Sequence, residues 1–343
     1  METEPHQTRS GQASAPARVC LAGEDLDWLG GASIQAAINL RVDYRCDWAS
    51  RPAPFEISAS GAFIGATRAI DAWSLPTFSW AKLPAICATY GCDRADGEWP
   101  YRITIKSDVP AGAGLASSAA LCVAGLAACA PGIGAQDLMR LGWQAEYRLA
   151  ARTVGPMDYA PCAVGGVSRV SCSESGVDTL ELLNWPRAAR LLVINTGIAR
   201  NTSDVITWKR ARQAAADAGV ARYVAKTRAL VTQLGQILSS AEPDIVDLGN
   251  SITAAHATLR DDMRVSNFAL ESCVSSLLRI GAVGAKITGS GMGGCVFGVF
   301  HELDAERAFR EVARQGMWAQ LVHVSMTGAE GHRDHFRGVD GVM

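Results

Sequence analysis

The sequence predicts an α+β chain, on three observations. Tyr101-Arg-Ile-Thr-Ile-Lys-Ser107 alternates as a half-buried strand does, and a small-residue loop carries it into the short-chained apolar helix Ala119–Ala128. Arg18–Ala22 and Ala189–Asn195 have the length and apolarity of buried strands. Gln136–Ala151 and Ser203–Leu230 have the spacing or composition of helices, with Leu138, Leu141, Ala145 and Leu149 on one face of the first.

At 343 residues, 48% of them hydrophobic, the chain is long enough for one large or two ordinary domains. Its net charge of −2 supplies no basic footprint for nucleic acid, and no apolar run reaches the length of a membrane span. Residues 1–16 are small and polar and lack the apolar core of a secretory signal, so they are expected to form a flexible tail. A second flexible tail is expected at 327–343, which holds His332, Arg333, His335 and Arg337. The ten cysteines show no paired CxxC spacing and read as reduced core residues of a cytoplasmic protein.

Between strand and helix lies Pro110-Ala-Gly-Ala-Gly-Leu-Ala-Ser-Ser118. Such a loop can bring backbone N–H groups against a phosphate chain, and the helix N-terminus adds unpaired donors and partial positive charge. Ser117 and Ser118 can cap the helix or offer a hydroxyl to a phosphate-bound magnesium ion. An ordinary Ser-capped helix after a Gly-rich turn accounts for the same residues. The Gly-Lys-Ser/Thr ending of the Walker loop is absent, and the glycine spacing is not that of a dinucleotide fingerprint.

After the first strand comes Gly23-Glu-Asp-Leu-Asp-Trp-Leu-Gly-Gly31. Its three carboxylates make either a solvated acidic turn or a set of fixed acceptors for the hydroxyls of a polyol. Glu146 lies in the C-terminal half of the Gln136–Ala151 helix, and Thr153-Val-Gly-Pro-Met-Asp-Tyr-Ala160 follows. Pro156 suits the first position of a new helix, which puts Asp158 in its first turn and favours the ionised carboxylate there. Farther on, Ala285–Phe297 reads as two apolar strands joined by a Gly-rich turn that permits close backbone approach.

Taken in order, these segments resemble the motifs of the GHMP kinases, the family of galactokinase, homoserine kinase, mevalonate kinase and phosphomevalonate kinase. Gly114-Leu-Ala-Ser-Ser118 resembles the family's Gly-Leu-Gly-Ser-Ser, with Ala116 tolerable where that residue needs no positive φ. Gly23–Gly31 resembles the galactokinase Gly-Glu-His-x-Asp-Tyr-x-Gly-Gly, with Asp25 in place of His and Trp28 in place of Tyr. Gly155-Pro-Met-Asp158 is similar to Gly-Ile-Met-Asp, and Ala255–Ser266, with His256, to a galactokinase helix stretch. Ala285–Phe297 resembles the third motif.

The resemblance runs from about Arg18 to Val324. It implies the α/β two-layer GHMP fold: a ribosomal-protein-S5-like ATP-binding domain at 17–190 and a ferredoxin-like domain at 191–326, with the active site between them. It also implies ATP and Mg²⁺. The nucleotide would lie on Pro110, Gly112, Ala113, Gly114, Leu115, Ala116, Ser117 and Ser118, and the metal on Ser118 and Glu146. Arg18 and Asp158 would be catalytic, with Asp158 taking the hydroxyl proton. Arg18, Glu24, Asp25, Asp27, Gly155, Asp158, Gly289 and Gly291 would line the substrate site. Trp73, Leu75 and Phe78 fall where the family's adenine-side segment lies. The aromatic that galactokinases carry before an Arg-Arg pair has no clear equivalent, Trp208 before Lys209-Arg210 being the nearest substitute. His256 reads as packing or local hydrogen bonding, not as a metal ligand.

The expected activity is therefore ATP-dependent phosphorylation of a monosaccharide or sugar-like polyol, at the anomeric hydroxyl of a modified sugar. Three clustered carboxylates argue against a uronic acid by like-charge repulsion. The alternatives are a galactokinase-like sensor of ATP and sugar, and a kinase for a non-sugar alcohol. The expected partners are a small-molecule sugar and ATP.

Overall fold

In β5 (Trp99–Ser107) Ile103 and Ile105 are buried while Arg102, Thr104 and Lys106 face solvent, as the pleat of the strand requires. Two short helices, α1 (Leu26–Leu29) and α2 (Lys82–Tyr90), precede β5, and the helix that follows it, α3 (Ser117–Cys129), is apolar on nearly every side and is accordingly buried on nearly every side. The computed structural model describes residues 8–49, 55–62, 65–69, 75, 80–90, 99–130 and 132–334.

Two sheets organise these residues. The first holds β1 (Thr8–Ala22), β2 (Ala32–Ala49), β3 (Phe55–Gly61), β4 (Gly65–Ala69) and β5, with β6 (Val167–Ser173), β7 (Gly176–Leu183) and β12 (Glu330–Asp334). Its order is β12-β1-β2-β5-β3-β4, and β6 and β7 extend it from β2. The long β1–β2 pair is antiparallel, whereas β3 and β5 run parallel. The second sheet is antiparallel, with β8 (Ala189–Asn195), β9 (Gly284–Ile287), β10 (Cys295–His301) and β11 (Ala319–Val322) in the order β11-β8-β10-β9. Four helices stand between β8 and β9: α6 (Thr202–Ala214), α7 (Ala218–Ser239), α8 (Ile245–Thr258) and α9 (Phe268–Arg279). A fifth, α10 (Glu302–Ala313), joins β10 to β11, completing a ferredoxin-like strand order beside the larger sheet.

Four local expectations need correction. Residues 8–16, expected in the first flexible tail, form the first half of β1. Their small side chains are what the packing demands: a Cβ on Gly11 would lie 2.1 Å from the Ala128 carbonyl oxygen of α3. Glu330–Asp334, expected in the second tail, is β12 and pairs with Ser10–Ser14; His335 and Arg337 lie outside the described residues. The helical run 203–230 is two helices, because Asp217 turns its carboxylate onto the N–H groups of Gly219 and Val220 and caps α7. Asp158 stands at the N-cap of α5 (Tyr159–Val164), one residue outside the helix, and its side chain turns away from the helix N–H groups.

Candidate active site

The ends of β1 and β5, the start of α3, the segment around Asp158 and the loop after β8 converge on one cavity of about 520 Å³. Of the residues singled out above, Arg18, Glu24, Asp25, Asp27, Gly112, Gly114, Ala116, Ser117, Ser118, Glu146, Gly155, Asp158 and Gly289 line it. Pro110, Ala113, Leu115 and Gly291 do not. Ala113 and Leu115 are buried, and their carbonyl oxygens accept hydrogen bonds from the backbone N–H groups of Cys295 (2.8 Å) and Arg18 (3.1 Å). They clamp the loop to both sheets, and Gly291 lies tight against Val265.

At the centre is a forked ion pair. Arg18 donates from Nε to Asp158 Oδ1 at 2.9 Å, its Nη2 lies 2.7 Å from Oδ2, and Nη1 donates to the Gly114 carbonyl oxygen at 2.6 Å. Arg18 is 3% exposed and Asp158 27%, so the guanidinium is fixed from behind while the carboxylate faces the cavity. Burial pulls the Arg18 pKa down, but Asp158, with Cys20 and Cys162, offsets this and the net shift is upward.

The glycine loop approaches other backbone closely. A Cβ on Gly114 (φ 86°) would lie 2.4 Å from the Thr288 carbonyl oxygen, and Thr288 donates its hydroxyl back to Gly114 at 3.3 Å. Ala116 adopts φ 59° as the N-cap of α3, so the tolerance condition stated for it is not met: an alanine sits in left-handed backbone. Trp73 and Phe78 fall outside the described residues, whereas Leu75 is buried and its carbonyl accepts from Lys82 Nζ.

The helix expected over 136–151 is α4 (Ala135–Gln144) followed by a π-helical turn, Ala145–Leu149. The wider turn carries Glu146, which is buried, accepts from the Tyr159 hydroxyl at 2.7 Å and lies near the Ser118 side chain. Burial raises the Glu146 pKa, with Arg152, Tyr159 and Ser118 opposing the rise. Ser118 and Glu146 thus place two hard oxygen donors side by side at the start of α3, a set that fits Mg²⁺ with waters completing its shell.

The acidic turn divides. Glu24 forms a buried ion pair with Lys286, and Asp25 (φ 67°) one with Lys209. Asp27 has no such partner among the described residues. Its Oδ1 is closed off from solvent and has no hydrogen-bond partner among the described residues. Burial, then Asp158 and Asp25, push its pKa up to about 7. Gly155 is explained by the same side chain, since a Cβ there would lie 1.6 Å from Asp27 Oδ2.

Sequence reasoning missed two cavity arginines, Arg152 and Arg200. Arg200 follows β8; its Nη1 donates to Thr202 Oγ1 at 2.7 Å, while its buried Nε has no partner among the described residues. Burial, then Arg18, lower its pKa to about 10. Its place just past a buried strand end was the available signal. Trp208 is no sugar platform: it is exposed and its ring lies under Arg212, while Ile206 of α6 faces the cavity. Trp28 lines the cavity beneath the Arg210 guanidinium. His256 is buried with Nε2 3.1 Å from Glu271 Oε1, and burial lowers its pKa against the pull of Glu271.

Comparison with known proteins agrees with this arrangement. Residues 82–166 match the GHMP kinases N terminal domain and residues 236–316 the GHMP kinases C terminal domain. A mevalonate kinase of Aeropyrum pernix is 29% identical over 334 residues, covering 94% of this chain and 98% of the relative. A galactokinase of Streptomyces coelicolor is 29% identical over 336 residues, covering 82% of each. Among solved structures, Lactococcus lactis galactokinase with galactose superposes with a TM-score of 0.74 at 16% identity, over 94% of this chain and 95% of that one. L. major mevalonate kinase with R-mevalonate gives a TM-score of 0.73 at 18% identity, over 94% and 98%. A forked Arg–Asp pair, a glycine loop at a helix start and two matched domains lead to one conclusion: the chain belongs to the GHMP kinases and is an ATP-dependent kinase of that family.

Proposed function

We propose that the protein transfers the γ-phosphoryl group of ATP to a hydroxyl of a monosaccharide or sugar-like polyol, at the anomeric position of a modified sugar. The observation that carries this reading is Asp27: a largely buried carboxylate that lines the cavity beside Asp158, with one oxygen left unsatisfied among the described residues. A polyol leaves full hydration behind when it binds, and a carboxylate on the cavity wall returns one hydrogen bond from a hydroxyl next to the reacting one.

In this reading Gly112, Gly114 and the first N–H groups of α3 cradle the polyphosphate, and Ser118 and Glu146 hold the metal. Mg²⁺ there supplies charge neutralisation of the β- and γ-phosphate oxygens. Asp158 orients the acceptor hydroxyl and takes its proton. Arg18, held by Asp158 and the Gly114 carbonyl, offsets the charge that builds on the transferring group between the two oxygens.

A second reading, a hydroxylated acid as acceptor, is favoured by the unpartnered Arg200 Nε in the same cavity. Like-charge repulsion of an acidic sugar is also weakened, because lysines neutralise Glu24 and Asp25. The test is ADP release from Mg-ATP across free sugars, cyclitols and hydroxy acids including mevalonate. Turnover confined to sugars or cyclitols supports the first reading, and turnover confined to acids replaces it with the second. Silence across the panel removes both.

A further inference from the structure

We infer that Arg152 is a nucleotide ligand: a guanidinium that pairs loosely with Glu146 in the free protein and moves onto the terminal phosphates when the nucleotide and its metal bind. This rests on the proposed assignment of Ser118 and Glu146 to the metal, and is independent of which acceptor is phosphorylated.

The local chain aims the side chain at this place. Ala151 is left-handed (φ 54°), and the reversal lets the Arg152 N–H donate to the Glu146 carbonyl at 3.1 Å, closing the π-helical turn. The guanidinium then stands over the carboxylate it follows, with Nη1 3.6 Å from Glu146 Oε1. That distance is beyond a direct hydrogen bond. The Arg152 side chain has no hydrogen-bond partner among the described residues, yet it lines the cavity with Gly114, Ser118 and Asp158. Arg18 is the opposite case, with its donors committed to Asp158 and Gly114.

The consequence follows from charge. A buried Glu146 needs a counter-ion when no metal is present, and Arg152 is the nearest cation. A dication bound between Ser118 and Glu146 takes over that role and repels the guanidinium. The anion then closest to Arg152 is the polyphosphate that the same dication binds. A guanidinium with free forked donors suits its oxygens. The loose pairing in the free protein is what allows the exchange.

The test is calorimetric titration of nucleotide without any acceptor. Arg152→Gln is expected to weaken Mg-ATP binding by about tenfold to a hundredfold, the loss of a charge-assisted phosphate contact, with Arg152→Lys recovering part of it. If Arg152 were only a counter-ion, its removal would free Glu146 for the metal. Mg-ATP would then bind the variant as tightly as wild type or more tightly, and that result overturns the proposal. A second comparison avoids stranding a buried charge. With Glu146→Gln in place, Arg152 is free to meet phosphate even in EDTA, so metal-free ATP should bind Glu146→Gln at least about tenfold more tightly than Glu146→Gln/Arg152→Gln. Equal affinities again reject the role. Should Glu146→Gln leave the magnesium dependence of ATP binding in an otherwise wild-type protein unchanged, the metal assignment itself fails and the inference with it.

Discussion

Glu24 and Asp25 sit at the end of β1 two or three residues from Asp27, and all three line one cavity, but they meet opposite fates. The first two are each neutralised by a fully buried lysine that comes from the C-terminal half, Lys286 from β9 and Lys209 from α6. Lys286 also donates to the carbonyl oxygens of Cys20 and Ile287, at 3.0 and 2.7 Å, so this bridge ties the two sheets together directly. Asp27 is left with an unsatisfied oxygen and a pKa near 7. One acidic cluster therefore supplies two stitches and one free acceptor. What separates them is whether a cation from a distant part of the chain reaches them, not their own identity.

The largest effect should come from breaking a stitch. Lys286→Met leaves Glu24 buried without a cation and is expected to destabilise the protein by about 3–5 kcal/mol in denaturant titration. The double variant Glu24→Leu/Lys286→Met removes both charges and should recover most of that loss. If the double variant folds but its KM for the acceptor rises tenfold or more, Glu24 is a substrate ligand, and the contrast with Asp27 collapses.

Asp158 lies between the two classes, paired but facing the cavity. Asp158→Asn keeps its shape and removes both the base and the charge that holds Arg18. A fall of at least about 10²-fold in kcat is expected for a general base. Pre-steady-state measurement of the chemical step checks it. A fall well short of this would make Asp158 a positioning partner for Arg18 and leave proton removal to solvent.

Asp27 makes a prediction opposite in sign to that for the stitches. Its pKa is raised on folding, so its contribution to stability is greatest below pH 4 and is lost as pH rises through about 7. Asp27→Asn removes the buried charge in place. The free variant should match wild type near pH 4, pull ahead as pH rises to about 7, and exceed it by roughly 2–4 kcal/mol at pH 8, a difference that thermal melts across that range will read. Acceptor binding should weaken in the same variant. A stability difference that does not change with pH would mean that Asp27 has found a partner, and the free-acceptor reading would go.

How far the sequence reached follows the same division. β5, α3, β8 and the β9–β10 hairpin were legible because alternation, apolar runs and glycine turns are local signals. Ser118 and Asp158 were legible as cavity residues because each sits inside a short motif, and Arg18 because it opens the strand that leads into one. The lysine partners were not, since Lys209 and Lys286 lie 184 and 262 residues from the carboxylates they neutralise and nothing local marks a buried lysine. Residues 8–16 were misread for a related reason: small residues that suit a linker also suit a strand pressed against α3. Arg152 was hidden because its approach depends on a left-handed alanine that no rule of composition expects.

The smallest effect concerns backbone in place of charge, at the glycine loop. Ala116 and Gly114 both have positive φ, 59° and 86°, but only Gly114 is pressed against other backbone, where a Cβ would lie 2.4 Å from the Thr288 carbonyl oxygen. Left-handed backbone costs an alanine about 1–2 kcal/mol, and a glycine gives back about 0.5–1 through the freedom it loses on folding. Ala116→Gly should therefore raise stability by about 0.5–1 kcal/mol, whereas Gly114→Ala should destabilise strongly and loosen the loop that holds Arg18 Nη1. Urea titration of the two variants separates them. If Ala116→Gly lowers stability instead, the Ala116 methyl group contributes packing at the head of α3 that outweighs the strain of its backbone.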